Sequence, residues 1–403
     1  MNQRDMRPPF AALGGTIPPE LEKLPTPCYL LDEAALTRNA EILGGLAQRT
    51  GCKVLLAQKA FSNYDCYPLL APHLAGTEAS GLFEARLGAE EMPGKEVHVF
   101  CAAYRADEMD ELVQYADHIV FNSPAQLAKF GPAAKAAGKS VGLRINPECS
   151  TQDGHAIYDP CAPGSRLGTT RAQWNAAVAA NPALTNLLDG LHFHTLCEQD
   201  SDALATTLDA VAQKFGDLLP RMQWLNFGGG HHITRPGYDI ATLERCITRA
   251  QQDWGVTVYL EPGEACALNA GFLLSRVLDV VQNGDTTIAI LDASAACHMP
   301  DVIEMPYRPP LFAAAEPGEK PCTVRLAGPT CLAGDVIGDY GVDAVPNVGD
   351  LLVFGDMAIY TTCKNNTFNG MPLPAIFARA ASGTTRSIVS FGYEDFKYRL
   401  GKR

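Results

Sequence analysis

The stretch KVLLAQKAF, residues 53–61, decides the fold prediction because an apolar run ends in a lysine. Residues 54–57 have the continuous hydrophobic character of a strand buried on both faces, which is typical of a parallel sheet. An unpaired ammonium at the end of such a strand is costly unless it reaches solvent or serves a function. Lys59 is therefore the first candidate for a functional residue.

Seven more runs of this kind follow and are separated by segments with helical periodicity. They are AGTEA at 75, EVHVF at 96, HIVF at 118, VGLRI at 141, LDGLHFH at 188, QWLNF at 223 and VTVYLEP at 256. The segments between them, such as SDALATTLDAVAQKF, repeat apolar residues every three or four positions. Eight strand–helix units over roughly 220 residues predict a TIM barrel, and a doubly wound open sheet is the alternative.

The sequence changes in character after about residue 275. LLSRVLDVVQ, TTIAILDAS, CTVRLAG and DLLVFGDMAIYT read as strands separated by Gly, Pro and Asp turns. The early strand TPCYLLD lies outside the eight and is expected to pair with these late strands. The prediction is an α/β chain with a barrel over residues 32–275. A discontinuous, mainly β domain is formed by residues 1–31 and 276–403.

Composition limits the function classes. The 403 residues carry a formal charge of -13, which argues against a nucleic-acid or anionic-membrane surface and favours a cationic small molecule. The N-terminus lacks a signal-peptide pattern, and no run of about 18 apolar residues predicts a membrane span, so a cytoplasmic location is expected. The 13 cysteines include no CxxC pair and are predicted to be mostly reduced and structural.

Residues at the C-terminal ends of barrel strands line the active site in TIM-barrel enzymes. In this sequence they are Lys59, Glu78, Arg144, Asn146, His192, His194, Gly228, Gly229, Gly230 and Glu261. Together they meet the needs of pyridoxal phosphate. The Lys59 amine can condense with the aldehyde, glycine amides can bind the phosphate, and Glu261 can keep the pyridine nitrogen protonated.

Other polar residues add to this interpretation. His192 and His194 alternate along one strand, so their imidazoles face the same way, and one of them could stack on a flat ring. A zinc site would need a third ligand, and no metal is predicted. In the late domain, Cys331 lies in the loop GPTCLAGD near Asp335, and the Tyr360 hydroxyl could contact a phosphate.

The order and spacing of several motifs resemble one known family. AQKAF, EASGLFEARLG, GLRINPE, SRLG, GLHFHTLCEQ, NFGGGHH, LEPGEA, GPTCLAGD and YTTCKNNTFNG are similar to motifs of the alanine-racemase-like, fold type III pyridoxal phosphate decarboxylases. Within that family, ASAACHMPDVIEMPYRP and GLHFHTLCEQ most resemble the branch that decarboxylates carboxynorspermidine or carboxyspermidine. The resemblance implies a decarboxylase of polyamine biosynthesis with a cationic carboxy-polyamine substrate.

The resemblance also implies residue roles. Lys59 would form the Schiff base with pyridoxal phosphate, His194 would stack on its ring, and Glu261 would pair with the pyridine nitrogen. Gly228, Gly229 and Gly230 would hold the phosphate with help from Tyr360, and Glu78 would also line the cofactor site. Cys331 would cross the interface of a homodimer with shared active sites and protonate the carbon that loses CO2.

Two departures from the wider family bear on the substrate. Leu332 follows the cysteine where many relatives have an acidic residue, and Glu264 follows EPG where many have a basic one. The substrate's distal amines are then expected to bind Glu264 and Asp301, with Glu304 and Asp335 as weaker candidates. Arg166 could bind phosphate, orient the pocket or pair with a carboxylate. The alternatives are a diaminopimelate, ornithine or arginine decarboxylase, an amino-acid racemase, and a non-catalytic cofactor-binding regulator.

Overall fold

The computed structural model describes residues 10, 13, 16–152 and 158–402. Its contacts divide the chain into two compact units. The barrel unit comprises residues 38–59 and 66–266, and the β-rich unit comprises residues 1–37, 60–65 and 267–403. The domain limits predicted from the sequence, at 31/32 and 275/276, lie near these divisions, but the prediction places residues 60–65 in the barrel.

Eight parallel strands close into a barrel in chain order. They are β2 (Lys53–Ala57), β3 (Gly76–Ala79), β4 (Glu96–Phe100), β5 (His118–Phe121), β6 (Ser140–Arg144), β7 (Gly190–His192), β8 (Trp224–Asn226) and β9 (Thr257–Leu260). β9 pairs with β2, which closes the ring. The TIM-barrel prediction is confirmed, and the open-sheet alternative is excluded.

Helices connect most of these strands. They are α1 (Glu33–Thr50), α2 (Tyr67–Leu70), α3 (Leu82–Glu91), α4 (Met109–Tyr115), α5 (Pro124–Ala136), α6 (Arg171–Ala180), α7 (Ser201–Phe215), α8 (Ile240–Trp254) and α9 (Gly263–Ala267). The periodicity of the sequence predicts α3, α5, α7 and α8, whereas the four-residue α2 is too short to show one. Side-chain caps mark some starts: Ser123 accepts a hydrogen bond from the Gln126 amide at the start of α5.

Packing inside the barrel depends on glycine at two neighbouring strand positions. Trp224 is buried in a cluster with Leu55, Val120 and Tyr259. A Cβ on Gly190 would lie 2.0 Å from the Trp224 ring, and one on Gly142 would lie 2.3 Å from it. The indole therefore occupies the space that these two residues leave empty, because protein interiors are close-packed.

The β-rich unit contains an eight-stranded sheet. Its strands are β1 (Cys28–Asp32), β10 (Gly271–Asn283), β11 (Thr286–Leu291), β12 (Cys322–Ala327), β13 (Val336–Val342), β14 (Leu351–Gly355), β15 (Ala375–Arg379) and β16 (Thr385–Val389). β1 pairs antiparallel with β10 and parallel with β15, which confirms that TPCYLLD joins the late strands. The sequence did not reveal β13, β15 and β16, whose apolar and polar residues alternate irregularly.

Three short helices complete this unit: α10 (Ala295–His298), α11 (Asp301–Glu304) and α12 (Tyr393–Tyr398). One face of the sheet packs around Leu30, Phe272, Leu274 and Val353. Across the described residues of the whole chain, every helix is too short or too polar to span a bilayer. All 13 cysteines are free thiols.

Candidate active site

The register of the barrel brings three strand ends together. Ala57, the last residue of β2, pairs with Glu78 of β3, and Val54 pairs with Leu260, the last residue of β9. Glu261 follows β9 directly and Lys59 lies two residues after the end of β2, so both lie at the same end of the barrel as Glu78. The expected grouping of Lys59, Glu78 and Glu261 is therefore present in the structure.

Lys59 faces a buried carboxylate. Its Nζ lies 3.5 Å from Oε2 of Glu78, whose side chain is 1% exposed, whereas the lysine side chain is 35% exposed. The preceding Gln58 is fully buried, and its Nε2 donates a hydrogen bond to the Glu84 carbonyl at 2.7 Å. Gln58 thus fixes the backbone that presents the lysine.

Glu261 is held as an anion by two side-chain donors. Asn226 Nδ2 donates to its Oε1 at 2.6 Å, and His192 Nε2 donates to its Oε2 at 3.1 Å. Burial, the largest single influence, raises the pKa of Glu261, but His192, together with the charge of Lys59, outweighs it and lowers the pKa to about 2. A carboxylate this strongly ionised can hold a proton on a neighbouring basic nitrogen.

His194 accepts a hydrogen bond from the backbone amide of Gly229, which reaches its Nδ1 at 3.0 Å. Burial holds the pKa of His194 well below its usual range, and the charges of Lys59 and Arg144 add to the effect. The ring is therefore a neutral imidazole with its proton on Nε2. The Arg144 guanidinium anchors this segment by donating to the His194 carbonyl at 3.0 Å.

The glycine triplet is built for close approach. A Cβ on Gly228 would lie 2.4 Å from the Phe193 carbonyl oxygen, one on Gly229 2.5 Å from that of Glu261, and one on Gly230 2.0 Å from that of Leu196. Gly228 and Gly230 also have positive φ angles of 70° and 81°. Any other residue here would displace the neighbouring loops, and backbone amides at a glycine-rich turn can bind an anion.

Sequence reasoning missed Asn226, which links two parts of this site. Its Nδ2 binds Glu261, and its Oδ1 accepts the Gly228 amide hydrogen bond at 2.8 Å. One signal was available. An amide side chain ends a fully buried strand immediately before the glycine turn, where an unsatisfied polar group would be costly.

Arg166 takes a less central position. Its side chain is exposed, and its backbone carbonyl accepts a hydrogen bond from Asn122 Nδ2 at 2.8 Å. Asn122 also accepts from the Gly168 amide at 2.7 Å. Asn122 therefore shapes the loop that carries Arg166.

The remaining predicted residues lie in the β-rich unit. Cys331 is exposed in its loop. Asp335 is 3% exposed, and its carboxylate accepts hydrogen bonds from Ser294 Oγ at 2.9 Å and from Thr330 Oγ1 at 2.7 Å. Asp335 therefore braces the base of the cysteine loop, and this leaves it a poor candidate for contacting a substrate amine.

Asp301 and Glu304 share a cation in the β-rich unit. The Lys364 ammonium contacts both carboxylates, and Asp301 is the less exposed of the two. Tyr360 begins the segment that carries Lys364, has a φ of 54°, and donates its backbone amide to the Ala60 carbonyl.

Residues 28–358 match the family described as pyridoxal-dependent decarboxylase, C-terminal sheet domain. The chain belongs to the pyridoxal-dependent decarboxylases. The match spans most of the chain, including the barrel strands and the cysteine loop. The fold prediction, an alanine-racemase-like barrel with a β domain, is confirmed, as is the prediction of an enzyme of this class.

Individual relatives in the family cover nearly the whole chain. Carboxyaminopropylagmatine decarboxylase of Synechocystis sp. is 43% identical over 384 residues, which span 95% of this chain and 97% of the relative. Carboxynorspermidine/carboxyspermidine decarboxylase of Campylobacter jejuni is 40% identical over 389 residues, 94% of this chain and 99% of the relative. The first of these substrates was not anticipated from the sequence.

A solved structure agrees with these relatives. The crystal structure of carboxynorspermidine decarboxylase from Campylobacter jejuni, complexed with norspermidine, aligns with a TM-score of 0.85 at 38% identity. The alignment covers 93% of this chain and all of that one. Together these matches identify a resemblance to polyamine-related decarboxylases.

The residues of the barrel unit fit pyridoxal phosphate, the cofactor of the family. The glycine turn leaves no room for a Cβ, so backbone can approach a phosphate closely. Both Glu78 oxygens are buried without a hydrogen-bond partner among the described residues, which is unusual for a closed protein core. The ionised Glu261 provides the charge that a pyridinium nitrogen requires.

Proposed function

We propose that the chain decarboxylates carboxynorspermidine or carboxyspermidine to the corresponding polyamine. The observation that carries the proposal is the 40% identity, over almost the full length of both chains, to the Campylobacter jejuni decarboxylase of these compounds. The acidic chain, with a net charge of -13, suits a polycationic substrate. Leu332 and Glu264, which replace the acidic and basic residues of other branches, support the same substrate.

Bound pyridoxal phosphate would supply an aldehyde that joins amines and a ring that withdraws electrons from the substrate's α-carbon. Lys59 is the amine that would hold the cofactor between turnovers. Glu261 would keep the pyridine nitrogen charged, and the neutral His194 ring would pack on the cofactor. Gly228 to Gly230 and Tyr360 would bind the phosphate.

Cys331 is proposed as the proton donor to the carbon that loses CO2. Its exposed position in a braced loop suits a residue that acts in a neighbouring subunit's site. We accordingly propose a homodimer with shared active sites, in the cytoplasm. Sedimentation of the native protein tests the dimer, and a monomer that is fully active would contradict shared sites.

Two acidic groups are proposed to bind the substrate's amines. In the barrel unit, Oε1 of Glu264 accepts a hydrogen bond from His232 Nε2 at 2.7 Å. Glu198, His232 and Glu264 each present an atom within 4.8 Å of the others. In the β-rich unit, the Lys364 ammonium lies between Asp301 and Glu304, and this contact with an alkylammonium supports the proposal for these two carboxylates.

A second substrate is favoured by a specific observation. The 43% identical Synechocystis relative is named for carboxyaminopropylagmatine, so an agmatine derivative is an alternative substrate. A guanidinium differs from an ammonium in its planar, forked donors. The acidic groups described above could bind either cation, and direct comparison of the substrates is therefore needed.

The test of function is CO2 release by cofactor-loaded protein. Carboxynorspermidine, carboxyspermidine and carboxyaminopropylagmatine are assayed beside meso-diaminopimelate, ornithine and arginine. The expected result is turnover of carboxynorspermidine or carboxyspermidine. The kcat/KM values for the simple amino acids should be lower by roughly 100-fold or more, because these substrates would leave buried polar groups of the site without partners. Preference for carboxyaminopropylagmatine would replace the substrate proposal, and cofactor binding without any turnover would favour a regulator.

Substitution of Asp301 by Asn is expected to weaken substrate binding. Loss of one charge-assisted hydrogen bond of about 1.5–3 kcal/mol should raise KM roughly 10- to 100-fold, with little change in cofactor absorbance. Asp343→Asn is the matched control, because Asp343 pairs with Lys320 in the same unit at 2.7 Å. An unchanged KM, or loss of the cofactor's absorbance, would remove Asp301 from the substrate site.

A further inference from the structure

Glu78 is a buried carboxylate without hydrogen bonds. Its side chain is 1% exposed, and neither oxygen has a hydrogen-bond partner among the described residues. The contact to Lys59 Nζ, at 3.5 Å, is an ion pair longer than a strong hydrogen bond. An ionised carboxylate in such a place is costly, so its position against the lysine requires an explanation.

The surroundings of Glu78 oppose its ionisation. Burial, the largest influence, raises the pKa of Glu78 to about 8 against the lowering effect of Lys59, and the negative charges of Glu261 and Glu84 raise it further. Glu261, at the same end of the barrel, has its pKa lowered to about 2. Electrostatic effects on pKa connect Glu78 with five charged or titratable groups: Lys59, Glu84, Tyr104, Arg144 and Glu261.

Two carboxylates in one site with such different environments usually have different tasks. Glu261 has two donors, which suit a permanent anion. Glu78 has none, and its one close ion-pair partner is the nitrogen that reacts with the cofactor. That arrangement suits a group that gains and loses a proton.

We propose that Lys59 and Glu78 share a single proton, which makes Glu78 a catalytic residue for attachment and release of the lysine. In one form the pair is an ammonium and a carboxylate. In the other form an N–H bond of Lys59 has broken and an O–H bond of Glu78 has formed, leaving a neutral amine and a carboxylic acid. Neither group is oxidised or reduced, and Lys59 and Glu78 together have zero net charge in both forms.

The physical advantage is that the lysine becomes nucleophilic without exchanging a proton with solvent. The neutral amine carries the lone pair that attacks the cofactor's aldehyde. When the lysine later leaves the cofactor, the proton on Glu78 can return to its nitrogen. In a site of low dielectric, moving a proton within a neutral pair avoids leaving an isolated charge.

The proposal predicts the shape of a pH profile. For two strongly coupled groups, the form holding one proton persists between two well-separated macroscopic pKa values. The fraction of neutral amine is then nearly independent of pH in that interval. Without Glu78 the ammonium must release its proton to solvent, and the neutral fraction rises about tenfold per pH unit until the amine is half titrated.

The experiment measures capture of pyridoxal phosphate by apoprotein between pH 8.5 and 9.5, above the raised pKa of Glu78, where the pair holds one proton. Stopped-flow absorbance gives the second-order rate constant. The cofactor's own titration is the same for every variant, so the slopes of the rate constant against pH are compared directly. The wild-type constant should vary less than about threefold beyond the cofactor's own titration, whereas that of Glu78→Gln should rise about tenfold per pH unit.

Three further variants make the result specific. Glu78→Ala must show the same slope as Glu78→Gln, which retains the test if one of them folds poorly. Glu78→Asp should restore the flat profile. Glu84→Gln is the matched control, because Glu84 neighbours Glu78 electrostatically but accepts a hydrogen bond from the Ser80 amide at 2.6 Å, and it should remain flat.

Equal slopes for wild type and both variants lacking the carboxylate would overturn the shared proton and leave Glu78 a structural residue. The proposal rests on the family's cofactor and not on the proposed polyamine. Because the assay contains no amine substrate, a wrong substrate assignment would leave its outcome unchanged.

Discussion

Lys59→Ala is expected to lower decarboxylation by roughly 10³-fold or more, because the variant lacks the amine that attaches and releases the cofactor. The expected activity loss is the largest among the proposed substitutions. The variant should still bind pyridoxal phosphate through the glycine turn and Glu261, but only non-covalently. Borohydride reduction followed by mass measurement should therefore add the cofactor's mass to wild type and not to the variant.

Lys53→Ala is the matched control for this substitution. Lys53 begins the same strand, is 40% exposed against 35% for Lys59, and pairs with Glu96. It differs in lying at the opposite end of β2. Lys53→Ala should retain covalent cofactor and activity within a fewfold of wild type. Covalent labelling of Lys59→Ala at another lysine, with turnover retained, would show that Lys59 is not the cofactor lysine.

Glu261→Gln is expected to have the second large effect, and it tests the chemical step separately from binding of the cofactor. The glutamine keeps the shape of the side chain but removes the negative charge that would hold the pyridine proton. Electrostatic contributions of this kind are worth several kcal/mol, so kcat should fall roughly 100- to 1000-fold while the cofactor remains bound. The measurement is single-turnover CO2 release together with the absorbance of bound cofactor.

Glu96→Gln controls for loss of any ionised barrel carboxylate. Despite burial, which raises it most, the pKa of Glu96 is lowered to about 2 by His98 and Lys53, much as in Glu261. It lies at the start of β4, at the other end of the barrel. Glu96→Gln should leave kcat nearly unchanged. If Glu261→Gln retained full kcat, the carboxylate could not be the partner of the pyridine nitrogen.

The pKa shift of Glu261 also bears on pH dependence. A folded-state pKa near 2 lies below the usual value for glutamate, so this carboxylate stays ionised as the pH falls through 5 and 4. Its contribution to stability is lost only as the pH falls below the unfolded-state value toward 2. An acidic limb of activity between pH 5 and 7 would therefore belong to another group.

The sequence patterns were sufficient to predict the barrel, because each buried run marks where a strand lies and the polar residue after it marks which end of the strand faces the site. Val54 to Ala57 are buried without interruption, and Lys59 follows them where the strand ends. The same pattern holds at Glu261 after β9. Local signals of this kind depend only on neighbouring residues. The late sheet was harder, since the sequence AIFAR of β15 does not alternate apolar with polar residues and β16 has no fully buried residue.

The site's internal connections could not be predicted in the same way. Asn226 donates a hydrogen bond to Glu261, 35 residues away, and Glu78 lies against Lys59, which follows a neighbouring strand. Asp335 looked available for a substrate amine, yet its carboxylate is occupied by Ser294 and Thr330. Such facts depend on which donors the fold brings within about 3 Å, and residue type alone does not contain that information.

The sequence by itself determined the barrel, the attachment of the first strand to the late sheet, the candidate cofactor lysine and the family's cofactor. These follow from periodicity, strand ends and ordered motifs, which are properties of adjacent residues. Only the tertiary structure decided that Glu261 is held as an anion while Glu78 is buried without donors. The reason is that ionisation depends on burial and on partners distant in sequence, which are set when the strands close into a ring.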